Sequence, residues 1–404
     1  MTNTPGALRS FRSMLPSAND YSAVPKSWRA DLIAGITVGI VALPLALAFG
    51  VSSGVGAEAG LITAIVAGIV AAVFGGSSVQ VSGPTGAMVV VLAPIVVMYG
   101  VGAVVVVSIM AGVLVVAAGL FKLGRSVSYI PWPVIEGFTA GIGVIIFLQQ
   151  VPSALGVQSE SHATNAVVAA WQVVMAAAWP EAFLPLGIVI AVAAIMVSLA
   201  KWVPSLPGSF VAIVVVAVSA TLFQLPLATI GALPHSLPAP SIPSIDSAMV
   251  IALIGPAFAV AALAAIESLL SARVAATLAP TGPLNADREL FGQGLASIAA
   301  GLFGGMPATG AIARTAVNVR SGARSRLAAI VHAILLLLIV LVAADVVSVI
   351  PLAALSGVLM VTAARMVSVS TIRRVFNSGG SSALVFLVTA FVTCLLYTSP
   401  SPRD

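Results

Sequence analysis

The sequence predicts an all-α polytopic membrane protein folded as an inverted repeat, on three observations: composition, a train of apolar runs, and two matching breaks in that train. Of 404 residues, 60% are hydrophobic and 7% charged, with a mean hydropathy of +1.16. A soluble domain carries about 25% charged residues, so this chain could not offer water a sufficient surface. Apolar runs fall near 31–50, 57–75, 84–99, 101–121, 132–151, 182–200 and 206–224, then near 248–276, 289–304, 309–320, 325–345, 351–369 and 382–397. Most are long enough to cross a hydrocarbon layer of about 30 Å. Two, the third and the tenth, are too short to span alone, and both follow a Phe-Gly-Gly.

The leader, residues 1–30, is polar and holds Arg9, Arg12, Lys26 and Arg29, and the first apolar run is a full span. It reads as a cytoplasmic segment before a signal anchor rather than a cleaved signal peptide. With the N-terminus inside, Lys122, Arg125, Lys201, Arg320, Arg324, Arg326, Arg373 and Arg374 all fall on cytoplasmic loops, including 122–128 and 370–380. The outer loops carry Glu58, Glu160, Glu181, Asp246 and Asp345 and no Lys or Arg. This is the asymmetry of a multi-pass inner (plasma) membrane protein. The net charge of +5 is explained by topology and needs no nucleic-acid partner. The stretch 165–178, "NAVVAAWQVVMAAA", reads as an interfacial helix, and 226–247 as a Pro-rich outer loop. The thirteenth run ends in "CLLYTSPSPRD", which would leave Arg403 outside; a truncated reading frame with a non-native 398–404 tail is expected.

Aligning Phe74-Gly75-Gly76 with Phe303-Gly304-Gly305 puts the third and tenth spans in equivalent places, seven spans apart. Seven is odd, so the halves face opposite ways, the architecture of many secondary transporters. In each copy a helix is expected to stop at Gly-Gly in a left-handed turn. An extended stretch follows, Ser78-Val79-Gln80-Val81 or Met306-Pro307-Ala308, and a helix restarts at Pro84-Thr85-Gly86 or Thr309-Gly310-Ala311. Thr suits a cap and Pro a first turn. Two half-helices starting at membrane depth from opposite sides would aim their N-termini, each with about half a positive charge, at one point. Irregular backbone survives there only where protein or water satisfies it. Such a point is an anion site. Close packing of small residues explains "AGITVGI" in the first run, but not two symmetric breaks.

Span eight holds "AALAAIESLLSARVAA". Glu267 lies inside the apolar run, where an ionised carboxylate costs roughly 2.5–3.5 kcal/mol. Ser271, one turn on, shares its face, while Arg273 can snorkel to the inner end and Glu136 reads as structural. Arg314 sits one turn into the tenth half-helix. Glu267 and Arg314 either neutralise one another, or Arg314 meets the substrate's charge and Glu267 a coupling proton or sodium ion. The lone Cys394 excludes a disulfide framework and CxxC metal sites, and His162, His235 and His332 share no ligand spacing.

These residues resemble the sulfate permease (SulP) family, bacterial relatives of the animal solute-carrier-26 anion transporters. The resemblance runs from about residue 25 to 395. It rests on "DLIAGITVGIVALPLALAFGVSSGVGAEAGL" (31–61), "SGPTGAM" (82–88), "IESLLSA" (266–272) and "NADRELFGQGLASIAAGLFGGMPATGAIARTAVNVRSGARS" (285–325). It implies a 7+7 inverted-repeat transporter fold, of which about 13 of 14 spans are present. The core would be 31–125 (spans 1–4) and 248–347 (spans 8–11), moving as an elevator against a gate of 126–225 (spans 5–7) and 348–397 (spans 12–13, incomplete). It further implies a substrate site on Thr85, Gly86, Gly310, Ala311 and Arg314, cation coupling at Glu267 with Ser271 beside it, and a homodimer at full length. The family's fourteenth span and cytoplasmic STAS domain are absent from this sequence. Sodium–bicarbonate members tend to carry Asp on span eight and to lack the span-ten arginine, so Glu267 with Arg314 points to proton-coupled uptake of sulfate or a C4-dicarboxylate. No cofactor beyond the coupling ion is expected.

Other classes fit less well. A nucleobase permease gives Arg314 no partner, and an anion channel gives Glu267 no purpose. HExxH, DDxxD and membrane-placed GxSxG signatures of enzymes are missing.

Overall fold

The computed structural model describes residues 14–125, 131–157, 166–242, 246–278 and 284–396. Arg9, Arg12, Glu160, His162, positions 126–128 of the first basic loop and the 398–404 tail lie outside the described residues.

Each apolar run is a helix. α1 is Val24–Ser52, beginning earlier than its apolar run because Pro25 suits a first turn, and α2 runs Ala57–Phe74 through a π-helical segment at Thr63–Ala67. β1, Ser82–Gly83, precedes the half-helix α3, Gly86–Tyr99. Then come α4 (Val101–Leu120), α5 (Trp132–Gln149), the expected interfacial α6 (Ala166–Ala176), α7 (Trp179–Trp202) and α8 (Gly208–Leu222). The second half holds α9 (Ser247–Leu278), α10 (Ala286–Leu302), β2 (Thr309–Gly310) and the half-helix α11 (Ile312–Arg320). It continues with α12 (Leu327–Ser348), α13 (Leu352–Met366), α14 (Val369–Asn377) and α15 (Gly380–Leu396). The 370–380 segment, expected as a loop, is therefore mostly helix: Ser368 caps it by accepting from the Thr371 amide, and Arg374 lies over the Trp132 ring. Among the described residues, eight helices are long and apolar enough to cross a membrane.

Packing follows the repeat. α4 packs on α10, and its mate seven spans later, α12, packs on α2, the mate of α10. Likewise α1 on α12 is matched by α9 on α4, and α5 on α15 by α13 on α7. β1 and β2 pair antiparallel, Ser82 opposite Gly310 and Gly83 opposite Thr309, so the two breaks join in one two-stranded ribbon. The Pro-rich 226–247 loop is tied at both ends of this arrangement. Ile230 donates to the Ile350 carbonyl at the start of α13, and Ser241 to the Leu302 carbonyl at the end of α10.

The Gly-Gly stops differ from expectation. Only the second is left-handed, at Gly304 with φ 79°; Gly75 is extended, with φ −61° and ψ 167°. The first pair of glycines is there for close approach. A Cβ on Gly76 would overlap the Asn285 carbonyl oxygen and stand 2.9 Å from the Glu289 amide nitrogen, both backbone atoms at the start of α10. Gly76→Ala is expected to cost about 1–3 kcal/mol or more, read as a lower unfolding temperature in detergent.

At the basic end the leader is latched down. A 3-10 turn, Ala18–Tyr21, presents Asp20 to Arg288, which donates from both terminal nitrogens at 2.9 and 2.8 Å, while Arg326 stands at 3.8 Å. Burial alone would push the Asp20 carboxyl up, but hydrogen bonds from Arg288 and the Ser17 amide, with the charges of Arg288 and Arg326, hold it at about 2 against an ordinary 3.8. The stability it contributes is thus complete above its ordinary value and lost as pH falls through about 2. Asp20→Asn is expected to lower stability by about 1–3 kcal/mol near neutral pH. Its difference from wild type in thermal unfolding shrinks between pH 4 and 2; a constant difference would contradict the latch.

Candidate functional site

The site is built where the ribbon meets the two half-helices. Val81 and Ala311 extend the strand pairing, with the Ala311 amide donating to the Val81 carbonyl at 2.9 Å. The helices restart at Gly86 and Ile312, with Thr85 and Ala311 at their caps and no side chain closing either N-terminus. Free first-turn N–H groups and helix dipoles therefore point into the same region. Thr85, Gly86, Gly310 and Ala311 are all buried there.

The expected threonine caps are put to another use. Thr85 donates to Glu267 Oε2 at 2.8 Å and Thr309, a strand residue rather than a cap, donates to the same oxygen at 2.7 Å; the two hydroxyls are 3.1 Å apart. One carboxylate on α9 thus joins both halves of the break. Ser268, next along, accepts from the Gly310 amide at 3.0 Å. Ser271 is brought to the same wall but not to Glu267: it lies 3.0 Å from the Thr315 hydroxyl, which accepts from the Val81 amide.

Arg314 is 2% exposed and donates from one terminal nitrogen to the Pro84 carbonyl, tying α11 to the start of α3. Its other terminal nitrogen has no hydrogen-bond partner. It lies by the Gly83 backbone, where a Cβ would stand only 2.7 Å from it. No ion pair joins Arg314 to Glu267 among the described residues. A cavity of about 680 Å³ runs from Arg314 to Arg320 and Arg365 at the basic end of the molecule. Its walls come from α1, α7, α8, α11 and α13.

A second layer escaped sequence reasoning. Glu289 accepts from the Gly76 and Ser77 amides at 2.8 and 2.9 Å, and Thr63 accepts from the Met306 amide at 2.8 Å. Each break is therefore held by a side chain of the opposite repeat. Gln293 accepts from Ser82, Ser297 from the Ala308 amide, and Asn318 donates to Val79. The signal for these was polar residues on otherwise apolar helices beside the breaks, as in "ELFGQGLAS". His332 is buried in α12, and His235 lies 3.3 Å from Asp345.

Against known proteins, the sulfate permease family model matches residues 28–389. YvdB of Bacillus subtilis, a candidate sulfate transporter, is 39% identical over 375 residues, covering 92% of this chain and 70% of YvdB. The transmembrane domain of the cyanobacterial bicarbonate transporter BicA superposes with a TM-score of 0.83 at 32% identity, over 92% of this chain and 96% of that one. The murine Slc26a9 anion transporter in its inward-facing state shares the fold, with a TM-score of 0.84 at 15% identity over 99% of this chain and 72% of that one. The half-helix pair, the carboxylate that joins it and the matched helices leave no conflict with these similarities: the chain is a multi-span membrane anion transporter and belongs to the sulfate permease family.

Proposed function

We propose that the chain moves a small divalent anion, sulfate or a C4-dicarboxylate, into the cell together with a proton. The observation that carries this is that Glu267 and Arg314, though near neighbours, form no ion pair with one another. Had they paired, each would cancel the other's charge. Instead the carboxylate is held by two hydroxyls and the guanidinium keeps one nitrogen unpaired beside the uncapped helix starts. A divalent anion there meets two helix termini, worth roughly one positive charge together, plus the charge of Arg314. A proton on Glu267 would change the carboxylate's bonds to Thr85 and Thr309, and with them the two strands that frame the anion. This links the cation to substrate geometry.

The moving unit is the core, 31–125 with 248–347, sliding as an elevator against the gate, 126–225 with 348–397. The cavity supports this division, since α1 and α11 form one side and α7, α8 and α13 the other. Basic residues at the cavity mouth argue for a cytoplasmic N-terminus and a cavity open to the cytoplasm. Two copies joined through their gates would give the core a fixed frame to move against.

Sodium-dependent bicarbonate transport is the second reading, favoured by the likeness to BicA across 92% of this chain. Uptake of labelled sulfate, fumarate and bicarbonate into proteoliposomes, under an imposed pH or sodium gradient, separates the two. Sulfate or fumarate driven by pH supports the first; bicarbonate driven only by sodium replaces it with the second.

A further inference from the structure

Arg314 accounts for one of three arginines on the cavity wall. The others are Arg320, in the last turn of α11, and Arg365, in the last turn of α13. No carboxylate lines this cavity. Arg320 and Arg365 are both exposed, and neither has a carboxylate within ion-pair distance among the described residues. The same wall carries Gly208 and Ser209, the start of α8, whose cap residue Pro207 leaves the first-turn N–H groups without a side-chain partner. Three sources of positive potential therefore converge on one open mouth between low-dielectric walls, which concentrates anions.

We propose that Arg320 and Arg365 form a second anion site at the cavity mouth, which binds a small cytosolic oxyanion and holds the transporter with its cavity open to the cytoplasm. This rests on the orientation and the core–gate division given above. Arg320 belongs to the core and Arg365 to the gate. An anion that touches both is bound only while they share the cavity, so it stabilises that one conformer. A ligand selective for one state shifts the balance by the factor one plus its concentration over its dissociation constant, about elevenfold at ten times that constant. Cytosolic accumulation of oxyanion would then slow return of the empty core and brake its own uptake. Topological signalling alone does not need this placement: Arg324, Arg373 and Arg374 mark the same side without lining the cavity.

The first test is equilibrium dialysis of the purified chain against labelled sulfate, for wild type, Arg320→Gln, Arg365→Gln and Arg314→Gln. Wild type is expected to bind two sulfates per chain. Either mouth substitution weakens one of them about tenfold, the worth of a charged hydrogen bond, while Arg314→Gln weakens the other. The second test is labelled sulfate uptake by right-side-out membrane vesicles preloaded with unlabelled sulfate or with phosphate. Preloaded sulfate slows wild-type uptake but not that of the mouth variants, whose external half-saturation is unchanged. Equal inhibition by phosphate would identify a general oxyanion brake, and inhibition by sulfate alone a site for the substrate. Unaltered binding in both mouth variants overturns the proposal. A single sulfate in wild type, weakened by either mouth substitution and untouched by Arg314→Gln, would overturn the central-site reading and leave the mouth site standing.

Discussion

Glu267→Gln protein in proteoliposomes exchanges labelled sulfate across the membrane yet fails to accumulate it against a pH gradient. Glutamine keeps the volume of the side chain and one oxygen to accept from Thr85 and Thr309, so the junction of the two half-helices survives. It mimics the neutral carboxyl only, and no proton can be loaded on one side and released on the other. One unit of pH gradient is worth about 1.36 kcal/mol per proton, roughly tenfold in accumulation, and that factor is lost entirely. Exchange needs no net proton movement and continues. Unchanged pH-driven accumulation in the variant would leave Glu267 a structural clasp between α9, β2 and α3.

Arg314→Ala weakens binding of sulfate by more than it weakens binding of bicarbonate. A unit charge at about 4 Å is worth about 4 kcal/mol at an effective dielectric of 20, and the loss doubles for a divalent anion. Solvent in the cavity reduces both figures, so a fall of at least about tenfold for sulfate is expected. Arg314→Lys retains part of the affinity, since the point charge remains but the planar pair of donors does not. The alternative, that Arg314 serves only to offset Glu267, predicts that Arg314→Ala with Glu267→Gln restores binding. The bond from Arg314 to the Pro84 carbonyl, with no ion pair to Glu267, argues against restoration. Isothermal titration of sulfate and bicarbonate into both single variants and the double variant decides between them. Because Arg314 also ties α11 to the start of α3, thermal unfolding in parallel shows whether a loss reflects misfolding.

Much of the fold was legible because membrane spans are written in composition. Long apolar runs must be helices where water is absent, and the paired Phe-Gly-Gly breaks exposed the repeat and its inversion. Thr85, Gly86, Gly310, Ala311, Glu267 and Arg314, the residues the sequence singles out, all lie around one ribbon junction. What each side chain binds was less legible. Thr309 was read as a helix cap, yet its hydroxyl serves Glu267, 42 positions away. Ser271 was placed with Glu267 by helical spacing, which is correct for a face but silent about the Thr315 that faces it. The partners of Glu289 and Asp31 were hidden too: one holds the Gly76 and Ser77 amides, the other the Arg324 and Ser325 amides.

Sequence by itself determined the membrane class, the order of the apolar helices, the inverted repeat and the family, because those depend on local apolarity and on spacing along the chain. Only the tertiary structure decided that Glu267 clasps two threonines from opposite repeats, that Arg314 is bound to Pro84 and forms no ion pair with Glu267, and that Gly76 is required by a neighbouring backbone rather than by its own dihedral angles. Hydrogen-bond partners and close approaches are set by which helices meet across the core, and chain distance carries no record of that. Two residues 230 positions apart, such as Arg314 and Pro84, become neighbours only once the half-helices have docked.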